Sequence, residues 1–87
     1  MFMNQKILNV NDYFRSSDLA LVVALSLFFP IEAIEKDTSR KAHFLFRKDA
    51  DNFEKVLKQY WSRELRVEPQ AFFNQLKVIK ARIYSEE

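Results

Sequence analysis

The C-terminal part of the chain is rich in aromatic and basic side chains, a combination typical of nucleic-acid-binding surfaces. From Tyr60 to Tyr84 the sequence is YWSRELRVEPQAFFNQLKVIKARIY, with five aromatic residues. Aromatic rings can stack on bases while Lys and Arg side chains bind phosphates. Residues 55–85 contain seven Lys or Arg against two Glu, a net charge of +5, whereas the whole chain carries +2. This asymmetry favours an anionic partner for the C-terminal third.

Nine side chains make up the predicted nucleic-acid-binding set: Arg63, Arg66, Lys77, Lys80, Arg40, Lys41, Arg47, Phe73 and Tyr84. In a helix, the members of this set between Phe73 and Tyr84 fall in one stripe, where the cations could contact phosphates while a ring offers a stacking surface. A structural interpretation competes with this one. Phe73 and Tyr84 would then widen the core-facing side of the helix, while the Lys stems cover apolar surface and keep their ammonium groups in water.

Catalysis has little support in the sequence. His43 is the only histidine, and it can be combined with Ser39 and Asp37 into a nucleophile–base–acid set. However, Asp37 and Ser39 belong to the same short predicted turn, and nothing in the sequence orients them toward His43. We therefore interpret His43 as a surface or strand-edge residue and expect a protein without catalytic residues.

Composition argues against metal and cofactor sites. The chain has no Cys, which excludes thiolate nucleophiles, disulfides and Cys-based zinc sites. It has no Gly, which phosphate-binding loops of the Walker and dinucleotide types require. The acidic run at residues 49–52 lacks the Gly and the distal Glu of a calcium loop, and helix capping explains it better. We expect neither a metal nor a cofactor.

The length of 87 residues predicts one small domain, for which we take residues 12–87, preceded by an N-terminal arm at residues 1–11. The most apolar run, Leu19 to Phe29, has eleven residues, whereas a membrane span needs about 20. Pro30 and a charged segment follow it, so we interpret the run as a buried helix and expect no membrane association. The lack of Cys is compatible with a cytoplasmic location, which we adopt as a prediction.

The first half of the chain predicts a helix followed by a hairpin. Ser16 or Ser17 can cap the helix, with Asp18 in its first turn, where the helix dipole favours an acid. The hairpin would have arms at residues 31–36 and 42–47 around a turn at residues 37–40, which needs more than about two residues because it lacks Gly. Alternation in the second arm separates two faces, one with Ala42, Phe44 and Phe46 and the other with His43, Leu45 and Arg47.

The second half predicts two amphipathic helices. The first starts at Asp49 or Asp51 and ends near Ser62 or Arg63. Its apolar face would hold Phe53, Val56, Leu57, Tyr60 and Trp61. The last helix starts at Pro69, a residue that suits the first helical position, and has a core stripe of Phe72, Leu76, Ile79 and Ile83. The predicted fold is therefore α+β, with the order helix, hairpin, helix, helix; a short strand near Tyr13–Arg15 is a further option.

Several segments together resemble a known family. They are SDLALVVALSL in the first helix, FLFRK in the hairpin, the YW pair, and EPQAFFNQLKVIKARIY at the end. In this combination the chain, from Tyr13 to Tyr84, is similar to a family of small domains of unknown function found in bacterial, archaeal and phage or mobile-element sequences. The resemblance implies the fold and the domain boundary. Because the family has no established activity, it implies no catalytic residues.

Two binding functions stay open. The first is a small non-enzymatic accessory protein that binds a macromolecule, with nucleic acid as the partner of the basic C-terminal face. The second is a protein–protein interaction module or regulatory subunit, whose partner could be a second copy of the chain. Its basis is the aromatic content of a chain with a small interior, because Phe28, Phe29, Phe73 and Trp61 would form an exposed patch if they are not all covered.

Overall fold

The computed structural model describes residues 12–85, and the predicted N-terminal arm at residues 1–11 lies outside this range. The described chain forms three strands and three helices. In chain order they are β1 (Tyr13–Ser16), α1 (Leu19–Ser26), β2 (Ala33–Lys36), β3 (Ala42–Arg47), α2 (Phe53–Trp61) and α3 (Pro69–Ser85). This confirms an α+β fold with three helices and an antiparallel sheet.

The sheet has three strands, because β1 joins the predicted hairpin. Its order is β1-β3-β2, with β3 antiparallel to both neighbours. Tyr13 lies opposite Arg47 on one side of β3, and Lys36 lies opposite Ala42 on the other. The connection from β1 to β2 contains α1, and β3 lies between these two strands in the sheet. The strand near Tyr13, only an option from the sequence, is thus an edge of the sheet.

The two faces of β3 differ as its alternation predicts. Phe44 and Phe46 belong to the hydrophobic core, which they share with residues from all three helices. The other face, which we call the polar sheet face, carries Tyr13, Arg15, Ala33, Glu35, His43, Leu45 and Arg47. Leu45 nevertheless is only 6% exposed. Arg15 Nε pairs with Glu35 Oε1 at 3.4 Å, and this pair crosses β3 beside Leu45.

Helix α1 is the central element of the core. Five consecutive residues, Leu21 to Leu25, are buried, as expected for a helix that is apolar on all sides. The predicted Ser caps are wrong, because Asp18 is the N-cap residue and its carboxylate accepts a hydrogen bond from the Leu21 amide at 3.4 Å. Ser16 instead accepts from the Asp18 amide at 3.1 Å. The side chain that carries a negative charge therefore takes the capping position at the positive end of the helix dipole.

Helix α2 is anchored by its first residue. The Phe53 ring meets the rings of Phe29 and Phe14 at centroid distances of 5.2 and 5.6 Å. The predicted start at Asp49 or Asp51 is wrong. Asn52 is the N-cap residue, in the left-handed region at φ 68°, and its side chain makes no capping bond.

The other end of α2 also departs from the predicted pattern. Trp61, placed on the apolar face by its helical spacing, is 60% exposed. It lies on the last turn of the helix, beyond the part of α2 that packs on the core. Periodicity predicts which way a side chain points, but the neighbouring elements decide whether anything covers it.

Helix α3 begins as predicted, with Pro69 at its first position. The Glu68 carboxylate accepts from the Ala71 amide at 2.8 Å and so caps the helix. On the core side Ile79 is fully buried, while Phe72, Leu76 and Ile83 pack partly buried around the core. Near its end, Lys36 Nζ donates to the Ile83 carbonyl at 3.0 Å, which ties β2 to the last turns of α3.

Candidate nucleic-acid interface

One flank of α3 exposes two aromatic rings. Phe73 is 57% exposed and Tyr84 is 70% exposed. Together with Lys77 and Lys80, which are also exposed, they form what we call the α3 stripe. The structural interpretation in which these rings widen the core stripe is therefore wrong. Phe72 and Ile83, the neighbours of the two rings in sequence, supply the core contacts instead.

The cations of the α3 stripe are available to a ligand. Lys77 Nζ lies 5.2 Å from the centroid of the Phe73 ring, a cation–π distance that keeps the ammonium beside the aromatic surface. Among the described residues, neither Lys77 nor Lys80 has a carboxylate partner within salt-bridge distance. An anion approaching this flank would therefore not have to displace an acidic side chain.

Arg63 has a backbone role at the end of α2. Its φ is 67°, in the left-handed region that favours Gly. Its amide donates to the Tyr60 carbonyl at 3.1 Å, and the Glu64 amide donates to the Gln59 carbonyl at 2.9 Å. These two bonds define a Schellman motif with Arg at the position usually taken by Gly. Because the chain has no Gly, Arg63 occupies the left-handed position of this turn, and the turn thereby fixes the position of its Cα and Cβ atoms.

Arg66 is partly used within the chain. Its Nη1 donates to the carbonyls of Arg63 and Leu65 at 3.1 and 3.3 Å. The guanidinium therefore satisfies carbonyl groups of the connector between α2 and α3, and only its remaining N–H groups could bind a phosphate. Its main contribution is to fix the connector, and any contact with a ligand would be secondary.

Arg40 and Lys41 belong to the hairpin turn and its end, and the strand before this turn is tied to the C-terminal end of α3. The bond from Lys36 to Ile83 places the end of β2 there, and the turn follows Lys36 directly. Arg40 is a second left-handed residue, at φ 69°, and its amide donates to the Asp37 carbonyl at 2.8 Å. Both Arg40 and Lys41 are exposed, and they follow a strand end whose Lys36 side chain reaches the last turns of α3.

Arg47 lies at the far end of β3 and is paired. Its Nε and Nη2 donate to the two carboxylate oxygens of Asp49 at 3.0 and 2.6 Å. Its guanidinium carbon also lies 5.5 Å from the centroid of the Tyr13 ring. These hydrogen bonds to Asp49 raise the pKa of Arg47 and lower the pKa of Asp49. Six residues of strand separate Arg47 from the hairpin turn, about 20 Å at the usual rise, so the hairpin cations are divided between two ends.

The three residues considered for catalysis are hydrogen-bonded to one another through Asp37, in an arrangement that stabilises the hairpin turn and is not that of a triad. Asp37 accepts from the Ser39 hydroxyl at 2.9 Å, from the Lys41 amide at 3.0 Å, and from His43 Nε2 at 2.9 Å. These bonds, led by the one from His43, hold the pKa of Asp37 well below its usual range. The carboxylate stands between the hydroxyl and the imidazole, so Ser39 donates to Asp37 and not to the base that a triad would require.

Sequence reasoning missed a cleft that the connector between α2 and α3 helps to line. It has a volume of about 470 Å³. Its lining comes from all three helices and the connector: Ala24, Tyr60, Trp61, Arg63, Leu65, Val67 and Phe72. Burial, with a smaller effect from Asp18, raises the pKa of the Tyr60 hydroxyl. The one sequence signal was the alternation of Leu65 and Val67 with charged residues, which marks a half-buried connector.

Three further properties limit the kinds of site. Among residues 12–85, no group of three or more His, Asp or Glu side chains is placed to hold a metal ion. No helix in this part of the chain has the length and apolar character to cross a membrane. Every buried side-chain nitrogen or oxygen described has a hydrogen-bond partner, so no buried polar group there points to a missing ligand.

The α3 stripe is thus an exposed basic and aromatic flank of one helix on a small α+β scaffold. Residues 11–85 match the family described as Domain of unknown function (DUF5659), and the chain belongs to this family. The predicted resemblance is confirmed over almost the whole described range. No curated protein and no solved structure matches the chain. Any inference about its function therefore depends on its own residues.

Proposed function

We propose that the protein is a non-enzymatic accessory protein that binds nucleic acid through the α3 stripe. The observation that carries this proposal is the pair of exposed rings at Phe73 and Tyr84 on the same helix flank as Lys77 and Lys80. Exposed rings, together with Lys side chains that have no acidic partner in the part of the chain described, offer stacking and phosphate contacts. The net charge of +5 over residues 55–85, seven cations against two acids, adds long-range attraction.

We expect the other predicted residues to contribute to binding to different extents. Arg63 and Lys41 are both exposed, Arg63 on the connector before α3 and Lys41 just before β3. Arg40 shares the hairpin turn with Lys41. Arg66 and Arg47 already donate to groups of the protein, so we expect smaller contributions from both.

The test is fluorescence anisotropy with labelled DNA and RNA oligonucleotides, single-stranded and duplex, across a salt series. The variant Lys77→Gln/Lys80→Gln removes both charges of the stripe. Loss of two single-strand phosphate contacts should reduce the slope of log K against log salt by about 1.4 and weaken binding roughly 50-fold at about 50 mM salt.

A matched variant separates local contacts from net charge. Lys55→Gln/Lys58→Gln makes the same charge change on the exposed side of α2. It should leave the salt slope nearly unchanged. If both double variants lose affinity equally, binding is a property of the net charge and the α3 stripe is not the site. If the unaltered protein binds no oligonucleotide at low salt, the proposed function is wrong.

A second candidate, a protein-interaction module, is favoured by aromatic side chains away from the α3 stripe. Phe28 is 46% exposed, and Trp61 is exposed at the edge of the cleft. Aromatic residues of this kind are enriched in protein interfaces. Analytical ultracentrifugation of the protein and of Trp61→Ser tests the form of this function in which the partner is a second copy. A concentration-dependent dimer that Trp61→Ser abolishes would support it, and a monomer at all concentrations would exclude self-association.

A further inference from the structure

The two exposed rings of α3 point in nearly the same direction. Phe73 and Tyr84 are eleven residues apart, which corresponds to about three turns and roughly 16 Å along the helix axis. Lys77 and Lys80 lie between them on the same flank. The stripe therefore has a ring at each end and two cations in the middle, within a straight segment of a single rigid element.

This order of groups suits a strand whose bases are not paired. A ring can stack only on a base whose face is uncovered, and in a duplex the neighbouring base pairs cover those faces. The interval of roughly 16 Å corresponds to about five steps of a stacked strand at 3.4 Å per nucleotide, and to fewer steps when the strand is stretched. The two cations then fall opposite the intervening phosphates.

We propose that the ligand of the α3 stripe is a single strand of about four to six nucleotides, with one base stacked on Phe73 and another on Tyr84. Phosphates between these bases contact Lys77 and Lys80. This inference rests on the proposed nucleic-acid function and specifies the form of its ligand. Because stacking does not depend on base identity, the site takes single-stranded DNA or RNA with little sequence preference.

The contact between Lys77 and Phe73 adds a detail to this arrangement. With its ammonium 5.2 Å from the ring centroid, Lys77 covers one face of Phe73, so the base stacks on the other face. The ammonium is then on the opposite face of the ring from the stacked base, where a phosphate of the adjoining nucleotide can replace the ring as its partner. Phe73 and Lys77 therefore act as one unit, whereas Tyr84 makes an independent contact.

The experiment measures anisotropy with labelled oligothymidylates of about two, four, six and twelve nucleotides, the matching oligouridylates, and a hairpin duplex. Phe73→Leu and Tyr84→Leu remove a ring but keep an apolar side chain. Each should weaken single-strand binding roughly 5- to 150-fold, the range that one lost base stack represents, and leave duplex binding unchanged. Affinity should rise with oligonucleotide length up to about six nucleotides, when the site is filled. A longer strand then only offers more positions at which the same site can bind.

Two controls complete the design. Tyr84→Phe keeps the ring and should bind as the unaltered protein does, and Trp61→Leu removes an equally exposed ring outside the stripe and should also have no effect. Duplex affinity equal to single-strand affinity, with Phe73→Leu and Tyr84→Leu unaffected, would overturn the single-strand assignment while nucleic-acid binding itself stands. Absence of binding to every oligonucleotide would instead overturn the proposed function. Circular dichroism of each variant verifies that α3 is retained.

Discussion

The polar sheet face and the α3 stripe are built from similar residues, but their charges are arranged differently. On the polar sheet face, Arg15 pairs with Glu35 and Arg47 pairs with Asp49, while the Arg47 guanidinium lies over the Tyr13 ring. On the α3 stripe, Lys77 lies beside the Phe73 ring and, among residues 12–85, has no carboxylate partner. Both regions thus contain cations next to aromatic rings, but within the described residues the sheet face pairs its cations with carboxylates and the stripe does not.

This difference shows that the number of basic residues does not by itself make an anion-binding surface. A paired Arg must lose its carboxylate partner before it can bind a phosphate, whereas an unpaired Lys exchanges only water. The sheet face also has a structural task, because its ion pair lies beside the buried side chain of Leu45. We therefore expect substitutions on the two surfaces to affect different properties, stability on the sheet and binding on the helix.

The largest expected effect concerns stability. Leu45→Ala should lower the free energy of unfolding by about 2–4 kcal/mol, because it removes a buried side chain of the central strand. Phe73→Ala should change it by less than about 0.5 kcal/mol, because the ring is mostly in water and Ala favours the helix. Urea unfolding followed by circular dichroism measures both values. A large loss for Phe73→Ala would mean that the ring packs on the protein, and the contrast between the two surfaces would disappear.

The next prediction turns the sheet face into a binding surface. Glu35→Gln/Asp49→Asn removes the two carboxylates that neutralise Arg15 and Arg47. If internal pairing is what keeps these cations from a ligand, the variant should bind nucleic acid more tightly. Its salt slope should become steeper by up to about 1.4, the contribution of two new phosphate contacts to a single strand. Anisotropy over the same salt series measures the change.

Its control is Asp51→Asn/Glu54→Gln, which alters the net charge equally at exposed positions around the start of α2. This variant should leave the slope almost unchanged. Equal gains for the two double variants would mean that net charge alone attracts the ligand, and the pairing on the sheet face would then be irrelevant to binding.

The sequence predicts the elements well where one local pattern decides the outcome. The apolar run of α1, the alternation of Phe44 and Phe46 in β3, and Pro69 at the start of α3 all lead to the observed element. Prediction fails where the burial of a residue depends on an element that is distant in sequence. Trp61 has the spacing of a core residue but is 60% exposed. Leu45 has the spacing of a surface residue but lies beside an ion pair between two other strands.

The candidate site follows the same rule. Spacing along α3 is enough to place Phe73 and Tyr84 on one flank, but only packing shows that this flank is exposed. The carboxylate partner of Arg47 was two residues away in sequence, and the carbonyl acceptors of Arg66 were within three. A chain contains many such pairs of residues, and only the conformation of the turn determines which of them meet. Charge counting therefore overestimated the set of available cations.

The smallest expected effect separates backbone from side chain at Arg63. Arg63→Gly should raise the free energy of unfolding by about 0.5–1 kcal/mol, because Gly adopts the left-handed conformation without the steric cost of a Cβ, although its unfolded state is more flexible. Arg63→Ala keeps the Cβ and should give no gain. A loss of stability in both variants would mean that the Arg63 side chain stabilises the cleft beside Trp61 and Phe72 by more than the turn costs.

In the binding assay both variants lack the same charge. An equal loss of affinity, up to about 8-fold at about 50 mM salt, would identify Arg63 as a phosphate contact independent of its effect on the fold.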